Sequence, residues 1–250
     1  MKASIEIAGK EYEINLNEGR SISTPFYAKN HLPRAFYSPQ LDIEPVRMDN
    51  WVGSTAEGGI LNFKNIFINP HGNGTHTECL GHIAVEPYLI KDCLTNTHQL
   101  GKLITIDPEK LEDDYFISLE QVQAIHFAES VNCLMIRTLP NQPEDKIKDW
   151  SGTNPCYIRY EAMEFLAKKG IEHFMIDTPS VDREEDEGKL LAHRAFWNYP
   201  SELPRLDATI TEMIYAPDDI EDGLYIVDIQ TLPLAMDASP SNILLYKVKD

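Results

Sequence analysis

Alternation of apolar and polar residues opens the chain. Ala3, Ile5 and Ile7 face one way, Gly9-Lys10 supplies a turn, and Tyr12, Ile14 and Leu16 resume the pattern, which predicts a β-hairpin. Further strands are predicted over 60–68, 102–107, 132–138, 173–177, 208–215, 224–229 and 243–248, segments mostly rich in Val, Ile, Phe or Tyr and bounded by turn residues. Helical spacing is rarer. Ser118 with Gln121 three residues on makes a capping box for a helix running to about Phe127, and Ala162, Phe165, Leu166 and Lys169 mark a helix over 160–169 that stops at Gly170. A third helix is predicted over 188–197. Strands outnumber helices, and no repeat, low-complexity tract or Pro/Ser/Gly-rich linker divides the sequence. The expectation is an α+β fold: one mixed domain over residues 1–250 with a strand-rich core and a long polar surface loop over 139–154.

Composition narrows the partners more than the fold. The 250 residues are 42% hydrophobic and 25% charged, as in an ordinary globular protein. Forty acidic against 22 basic residues give a net charge of −18, which repels phosphate backbones and anionic lipid surfaces and argues against nucleic-acid or membrane partners. Clusters such as Glu184-Glu185-Asp186-Glu187 read as solvated loops. Cys79, Cys93, Cys133 and Cys156 are widely spaced and suggest no disulfide framework. With no apolar run of signal-peptide or membrane-span length, the expected location is the cytoplasm.

Candidate chemistry concentrates in Asn69-Pro70-His71-Gly72-Asn73-Gly74-Thr75-His76-Thr77-Glu78-Cys79-Leu80-Gly81-His82. Imidazole and carboxylate are the usual nitrogen and oxygen donors to a divalent ion, and glycines let the backbone curl close to a ligand. His76 and Glu78, two apart, leave an extended backbone on the same side, with His71 and His82 flanking them. Spacing alone fits both a metal site and a polar turn with exposed histidines. A second anchor is Glu212: alternation places Ala208, Ile210, Glu212, Ile214 and Ala216 on one face, so a carboxylate sits in an apolar stripe. A buried carboxylate costs several kcal/mol unless paired or metal-bound, so Glu212 needs either a basic partner or an ion, unless its strand is solvated.

The segment Gly74 to His82 resembles the His-x-Gly-Thr-His-x-Asp-x-Pro-x-His signature of the metal-dependent cyclase family, which includes bacterial kynurenine formamidase and isatin hydrolase. Downstream order agrees: Leu134-Met135-Ile136-Arg137-Thr138 is similar to the family's central strand, and Ile176-Asp177-Thr178-Pro179-Ser180-Val181-Asp182 to its Gly-Ile-Asp-Thr-Pro-Ser-Val-Asp block. His193, Glu212 and Leu232-Pro233-Leu234 follow as in those enzymes, so the resemblance spans about residues 20–248. It implies a swivelling β/β/α fold, with His71, His76, Glu78, His193 and Glu212 as metal ligands and His82 as general acid/base. Ser180 and Asp182 would orient ligands from behind, or cap a turn. Three departures stand out. His71 lies five residues before His76 where the family has four, which puts Gly72 at the aligned position; a bulge at Gly72-Asn73 restores it, or the ligand is lost. Glu78 replaces the family's aspartate. Cys79-Leu80-Gly81 replaces an Ala-Pro-x spacer, and Cys79 reads as a small buried apolar residue rather than a thiolate ligand.

The activity implied is hydrolysis of the amide C–N bond of a small formamide or cyclic amide by metal-activated water, with one or two divalent ions, zinc first and manganese second. The alternatives are a lactone or ester hydrolase, and a non-catalytic member of the fold that binds a small molecule or serves as a structural subunit. A homodimer or homotetramer is the implied assembly. His31, His98, His126 and His173 match no motif position and read as surface or structural residues.

Overall fold

Strands that are apolar on both faces need cover on both sides, and this chain meets the need by closing a sheet on itself. The computed structural model describes residues 1–27, 33–126, 128 and 130–248. Seven strands form the closed part: β1 (His76–Cys79), β2 (His98–Ile106), β3 (Cys133–Thr138), β4 (His173–Ile176), β5 (Thr209–Glu212), β6 (Gly223–Thr231) and β7 (Ala238–Lys247). Their hydrogen-bonded order is β6-β2-β3-β4-β5-β1-β7, and β7 pairs back onto β6 to complete the ring. Pairings from β2 through β5 are parallel; all others around the ring are antiparallel. Closure leaves no free edge within the ring.

Alternation along these strands separates two cores. Leu103, Met135, Met175, Val227 and Leu245 form one cluster, joined by Ile90 and Cys93 of α1 (Ile90–Cys93). Leu100, Leu134, Ile136, Phe174, Ile176 and Ile210 form the other, together with Val122 of α2 (Leu119–Gln123), Met163 and Leu166 of α3 (Tyr160–Lys168), and Phe196 and Trp197 of α4 (Leu191–Trp197). A closed barrel has one inner face, so the cluster without these three helices is the inside and the helices coat the outside. The α+β expectation with a strand-rich core holds.

Local signals mostly hold as well, with instructive exceptions. The hairpin forms from Lys2–Ile7 and Lys10–Asn15, its turn falling at Ala8-Gly9 rather than Gly9-Lys10. The Ser118/Gln121 capping box is present; its helix ends at Gln123, and the expected limit at Phe127 lies outside the described residues, as does His31. Helix α4 starts at Leu191, three residues later than expected. The strand expected over 60–68 shrinks to Lys64–Phe67, which pairs with Asp42–Pro45 in an exposed ribbon apart from the barrel. The strand expected over 208–215 ends at Glu212 because Met213 adopts a left-handed conformation (φ 57°). That turn reverses the alternation. Ala208 and Ile210 stay with the outer cluster, whereas Ile214 and Ala216 cross to the inner one, so the single apolar stripe from 208 to 216 is not continuous. β1 has no apolar alternation to announce it, since its outward residues are His76 and Glu78 and its inward ones Thr77 and Cys79.

Two buried basic side chains are accounted for by the frame. Arg137 of β3 donates to the carbonyls of Ala216, Pro217 and Ile220 at 2.9–3.3 Å, to Thr105 Oγ1 and to Asp222, pinning the segment that follows β5. His173 opens β4, with Nδ1 2.8 Å from Thr209 Oγ1; burial, helped by repulsion from Arg205, pushes its pKa down to about 4. The unfolded chain therefore binds a proton that the folded one refuses between about pH 6.5 and 4. This contribution is complete above pH 6.5 and is lost as pH falls toward 4. Replacing His173 by Asn should reduce the stability difference between pH 7 and pH 4.5, measured by urea unfolding, by roughly 3 kcal/mol relative to the parent. An unchanged difference would contradict the assignment.

Candidate metal centre

β1 lies between β5 and β7, and its register sets His76 opposite Glu212 and Glu78 opposite both Ile210 and Ala238. Both side chains, with Glu212, occupy the outer face and are buried. Thr77 and Cys79 point the other way: Thr77 Oγ1 is 2.8 Å from Thr211 Oγ1, and Cys79 Sγ lies 3.6 Å from Tyr88 O. Cys79 is thus part of the inner core, in line with the apolar reading. His193 arrives from α4, with Nε2 3.0 Å from Glu78 Oε1 and 3.6 Å from Glu212 Oε1. His76 Nε2 is 3.3 Å from Glu212 Oε2. His82, in the short turn after β1, brings Nδ1 to 3.7 Å from Glu78 Oε2, and its ring is 5.4 Å from that of His193.

His71 also reaches the cluster despite its displaced register. The N–H groups of Gly72 and Asn73 both donate to Asn69 O, and the Asn73 side chain accepts from Asn69 N, so a tight turn takes up the extra residue. A Cβ on Gly72 would sit 2.3 Å from Ser38 Oγ, so a side chain at the aligned position would run into the segment around Ser38. His71 Nδ1 lies 3.1 Å from Glu78 Oε2, and its ring is 5.3 Å from His76 and 4.3 Å from His82. A turn over residues 69–73 thus brings the His71 ring beside His76, Glu78 and His82.

The remaining ring nitrogens are held from behind. His76 Nδ1 is 2.9 Å from Gly74 O, His193 Nδ1 is 2.6 Å from Asp182 Oδ2, and His71 Nε2 is 2.8 Å from Asp237 Oδ2. Asp182 is fixed by the N–H groups of Ala192 and His193, while the Ser180 hydroxyl accepts from Asp182 N and its carbonyl from Thr178 Oγ1. Glu212 Oε1 accepts from Val181 N at 2.9 Å. Trp197 stacks 5.5 Å from His193 and donates Nε1–H to Ala208 O. Asp237 escaped the sequence reading: the only signal was its place just after Leu232-Pro233-Leu234, 155 residues beyond His82 with no periodicity to link them.

Electrostatics show what the cluster lacks. Burial works against charge on His71, yet its hydrogen bonds to Asp237 and Glu78 outweigh it and push the pKa up to about 10. His193 is raised well above its usual value against the same burial, by Asp182 and Glu78. Burial disfavours ionised Glu78 too, but the charge of His82 and hydrogen bonds from His193 and His71 hold it well below the carboxylate range. Four carboxylates therefore draw positive charge onto His71 and His193. His76 Nε2 is buried and has no hydrogen-bond partner among the described residues. Donor atoms of His71, His76 and Glu78, of Glu78, His82 and His193, and of His71, His82 and Asp237 lie, within each trio, no more than 4.8 Å apart. These residues fit a divalent cation: nitrogen and oxygen donors converge, the far nitrogens of three histidines are fixed, and one inward nitrogen has no hydrogen-bond partner.

A cavity of about 300 Å³ lies next to this cluster, outside the C-terminal ends of β2, β3, β4 and β5. Thr138, Asp177, Thr178, Trp150, Met213 and Tyr215 are among the residues lining it, and much of the loop over 139–154 folds across it. None of the clustered histidines and glutamates lines the cavity; Met213, which does, directly follows Glu212 and donates its N–H to Thr178 O at 3.0 Å. His98 and His126 are exposed and lie apart from both.

Residues 14–183 match the model of a family described as "Putative cyclase". Kynurenine formamidase of Bacillus cereus is 27% identical over 190 residues, covering 75% of this chain and 81% of that protein, and kynurenine formamidase of Bacillus anthracis matches to the same extent. Among solved structures, an isatin hydrolase bound to the product analogue thioisatinate superposes with a TM-score of 0.68 at 13% identity, covering 93% of this chain and 94% of that one. A protein described as a predicted metal-dependent hydrolase from Bacillus stearothermophilus gives 0.65 at 18% identity, covering 92% and 98%. At these identities the superpositions establish the fold.

The turn carrying His82 depends on one missing side chain. A Cβ on Gly81 would lie 2.0 Å from Tyr88 O and 3.1 Å from Asp237 Cβ. Gly81→Ala should cost about 1–3 kcal/mol in thermal or chemical unfolding by overpacking against backbone; a variant as stable as the parent would show that the two segments separate freely.

Proposed function

Because this chain belongs to the Putative cyclase family, we infer that it is a metal-dependent hydrolase cleaving the amide C–N bond of a small formamide or cyclic amide. The observation that carries the reading is the convergence of His76, Glu78, His193 and Glu212 on one outer patch of the barrel, with His76, His193 and Glu212 each fixed by a neighbour outside the cluster's centre. His71 completes the donor set. Zinc suits this mixture of imidazole and carboxylate, with manganese as the alternative, and two trios of donors sharing Glu78 leave room for one ion or two. A divalent ion in such a site lowers the pKa of water toward neutrality and polarises a carbonyl.

The protein's own residues divide the remaining work. Asp182 holds His193 through Nδ1, so Nε2 is the atom turned toward Glu78. His82 is the general acid/base in this reading. Its Nδ1 stands 3.6–3.7 Å from Asp237 and Glu78, beyond a short hydrogen bond, and its side chain is 29% exposed, so the ring can take a proton at the site and return it to the leaving nitrogen. The adjoining cavity, with Trp150, Tyr215 and Tyr115 on its walls, suits the ring of a small aromatic or cyclic substrate. The chain is taken as one domain that works in the cytoplasm as a homodimer or homotetramer. Support for association comes from the ribbon beside the barrel, where Ile60 is 85% exposed and Phe63, Ile66 and Phe67 are also in solvent.

The test is metal analysis together with a panel of N-formyl anilines, isatins and lactones. The parent should hold zinc or manganese and open an amide or lactam in preference to lactones. His82→Ala should keep its metal while kcat falls about 10²–10⁴-fold. Undiminished hydrolysis by the metal-loaded variant would remove His82 from its role, and turnover of lactones alone would move the activity to ester chemistry.

A further inference from the structure

His71 enters the cluster from a turn rather than from a strand, so its ring lacks the backbone register that aims His76 and Glu78. We propose that Asp237 is the positioning residue that replaces this register: its carboxylate fixes the His71 ring so that Nδ1 faces the metal centre. This rests on the metal-centre reading above and adds a residue to it.

The geometry repeats one arrangement three times. Each of the three histidines with a nitrogen within 3.3 Å of Glu78 or Glu212 has its other nitrogen engaged: His193 by Asp182 at 2.6 Å, His76 by the Gly74 carbonyl at 2.9 Å, and His71 by Asp237 at 2.8 Å. A carboxylate behind an imidazole fixes both ring orientation and tautomer, leaving the opposite nitrogen as the lone-pair donor. With an ion in place of a proton on His71, this would keep Nε2–H toward Asp237 and leave Nδ1, 3.1 Å from Glu78 Oε2, as the lone-pair donor.

Asp237 is itself well placed to act as a fixed post. It immediately precedes β7, whose first residue, Ala238, pairs with Glu78. Its carbonyl accepts from Cys79 N at 3.0 Å, and the carbonyl of Met236 accepts from Ile90 N at 2.8 Å, so backbone bonds tie this loop to the end of β1 and to α1. A Cβ on Gly81 would lie 3.1 Å from Asp237 Cβ, so the loop also passes close to the turn that carries His82. Asp237 Oδ2 is also 3.6 Å from His82 Nδ1, so one carboxylate borders both the displaced ligand and the proton-handling histidine. Its side chain, 28% exposed, is the outer wall of the cluster on this side.

A double-mutant cycle on zinc affinity tests the proposal, using competition against a chelator with Asp237→Asn, His71→Gln and the double variant. Asp237→Asn should weaken zinc binding about 10–100-fold, whereas in the His71→Gln background it should add less than about 2-fold. Long-range proton–nitrogen spectra of the zinc-bound parent should show His71 as the Nε2–H tautomer, with that signature lost in Asp237→Asn. Should Asp237→Asn fold poorly in the apo form, as judged by thermal melting, Asp237→Ser takes its place in the cycle. Equal affinity of parent and Asp237→Asn, or equal loss in both backgrounds, overturns the role of Asp237 while leaving the metal centre standing. A parent that takes up no zinc or manganese overturns the metal centre itself, and this inference with it.

Discussion

Four carboxylates, Glu78, Glu212, Asp182 and Asp237, converge on four imidazoles at one outer edge of the barrel, and the energetics of that meeting govern the surrounding structure. Buried negative charge is tolerated only where positive charge or well-aimed donors offset it. With no ion bound, protons on His71 and His193 would do so, together with the N–H groups of Val181, Ala192 and His193. A divalent ion would replace the protons and leave the N–H donors in place, because those donors bind the outer oxygens. The same residues thus explain why the apo cluster holds together and why it suits a cation.

The barrel supplies the precision. Glu78 and His76 are aimed by pairing on both sides of β1, and Glu212 sits on the last residue of β5, just before Met213 turns the chain away. Met213 in its left-handed conformation donates N–H to Thr178 O and accepts from Thr75 Oγ1, which ties together the strand end, the Asp177-Thr178 segment and the residue before His76. Arg137 holds the following segment by three carbonyls. Cavity and cluster share this frame, which places a substrate-sized space beside the donors.

Much of this was legible in the sequence because it is periodic or local. The Ser118/Gln121 capping box, the hairpin, and the strands containing Leu134 and Phe174 announce themselves through spacing and turn residues. His76 and Glu78 were recognisable as a pair on one face, though the strand they occupy was not, because its side chains are polar for the sake of the site rather than alternating for the sake of a core. Glu212 stands out in the sequence as a carboxylate in an apolar setting, yet the stripe beyond it does not continue, because a single left-handed Met213 reverses the faces. Asp237 was invisible: its partnership with His71 arises only from closure of the ring by β7. Whether the extra residue before His76 removed His71 could not be settled by spacing, since the answer depends on Asn69 and Asn73 folding into a turn and on Ser38 filling the space beside Gly72.

The central claim is that this outer patch of the barrel is a metal centre built on β1, β5 and α4. Anomalous diffraction from crystals grown with zinc or manganese tests it most directly. The account predicts a peak bounded by His76 Nε2, Glu78, His193 Nε2 and Glu212, with metal–ligand distances of about 2.0–2.2 Å for zinc. Absence of any peak at saturating metal, with His193 Nε2 still hydrogen-bonded to Glu78, would contradict it.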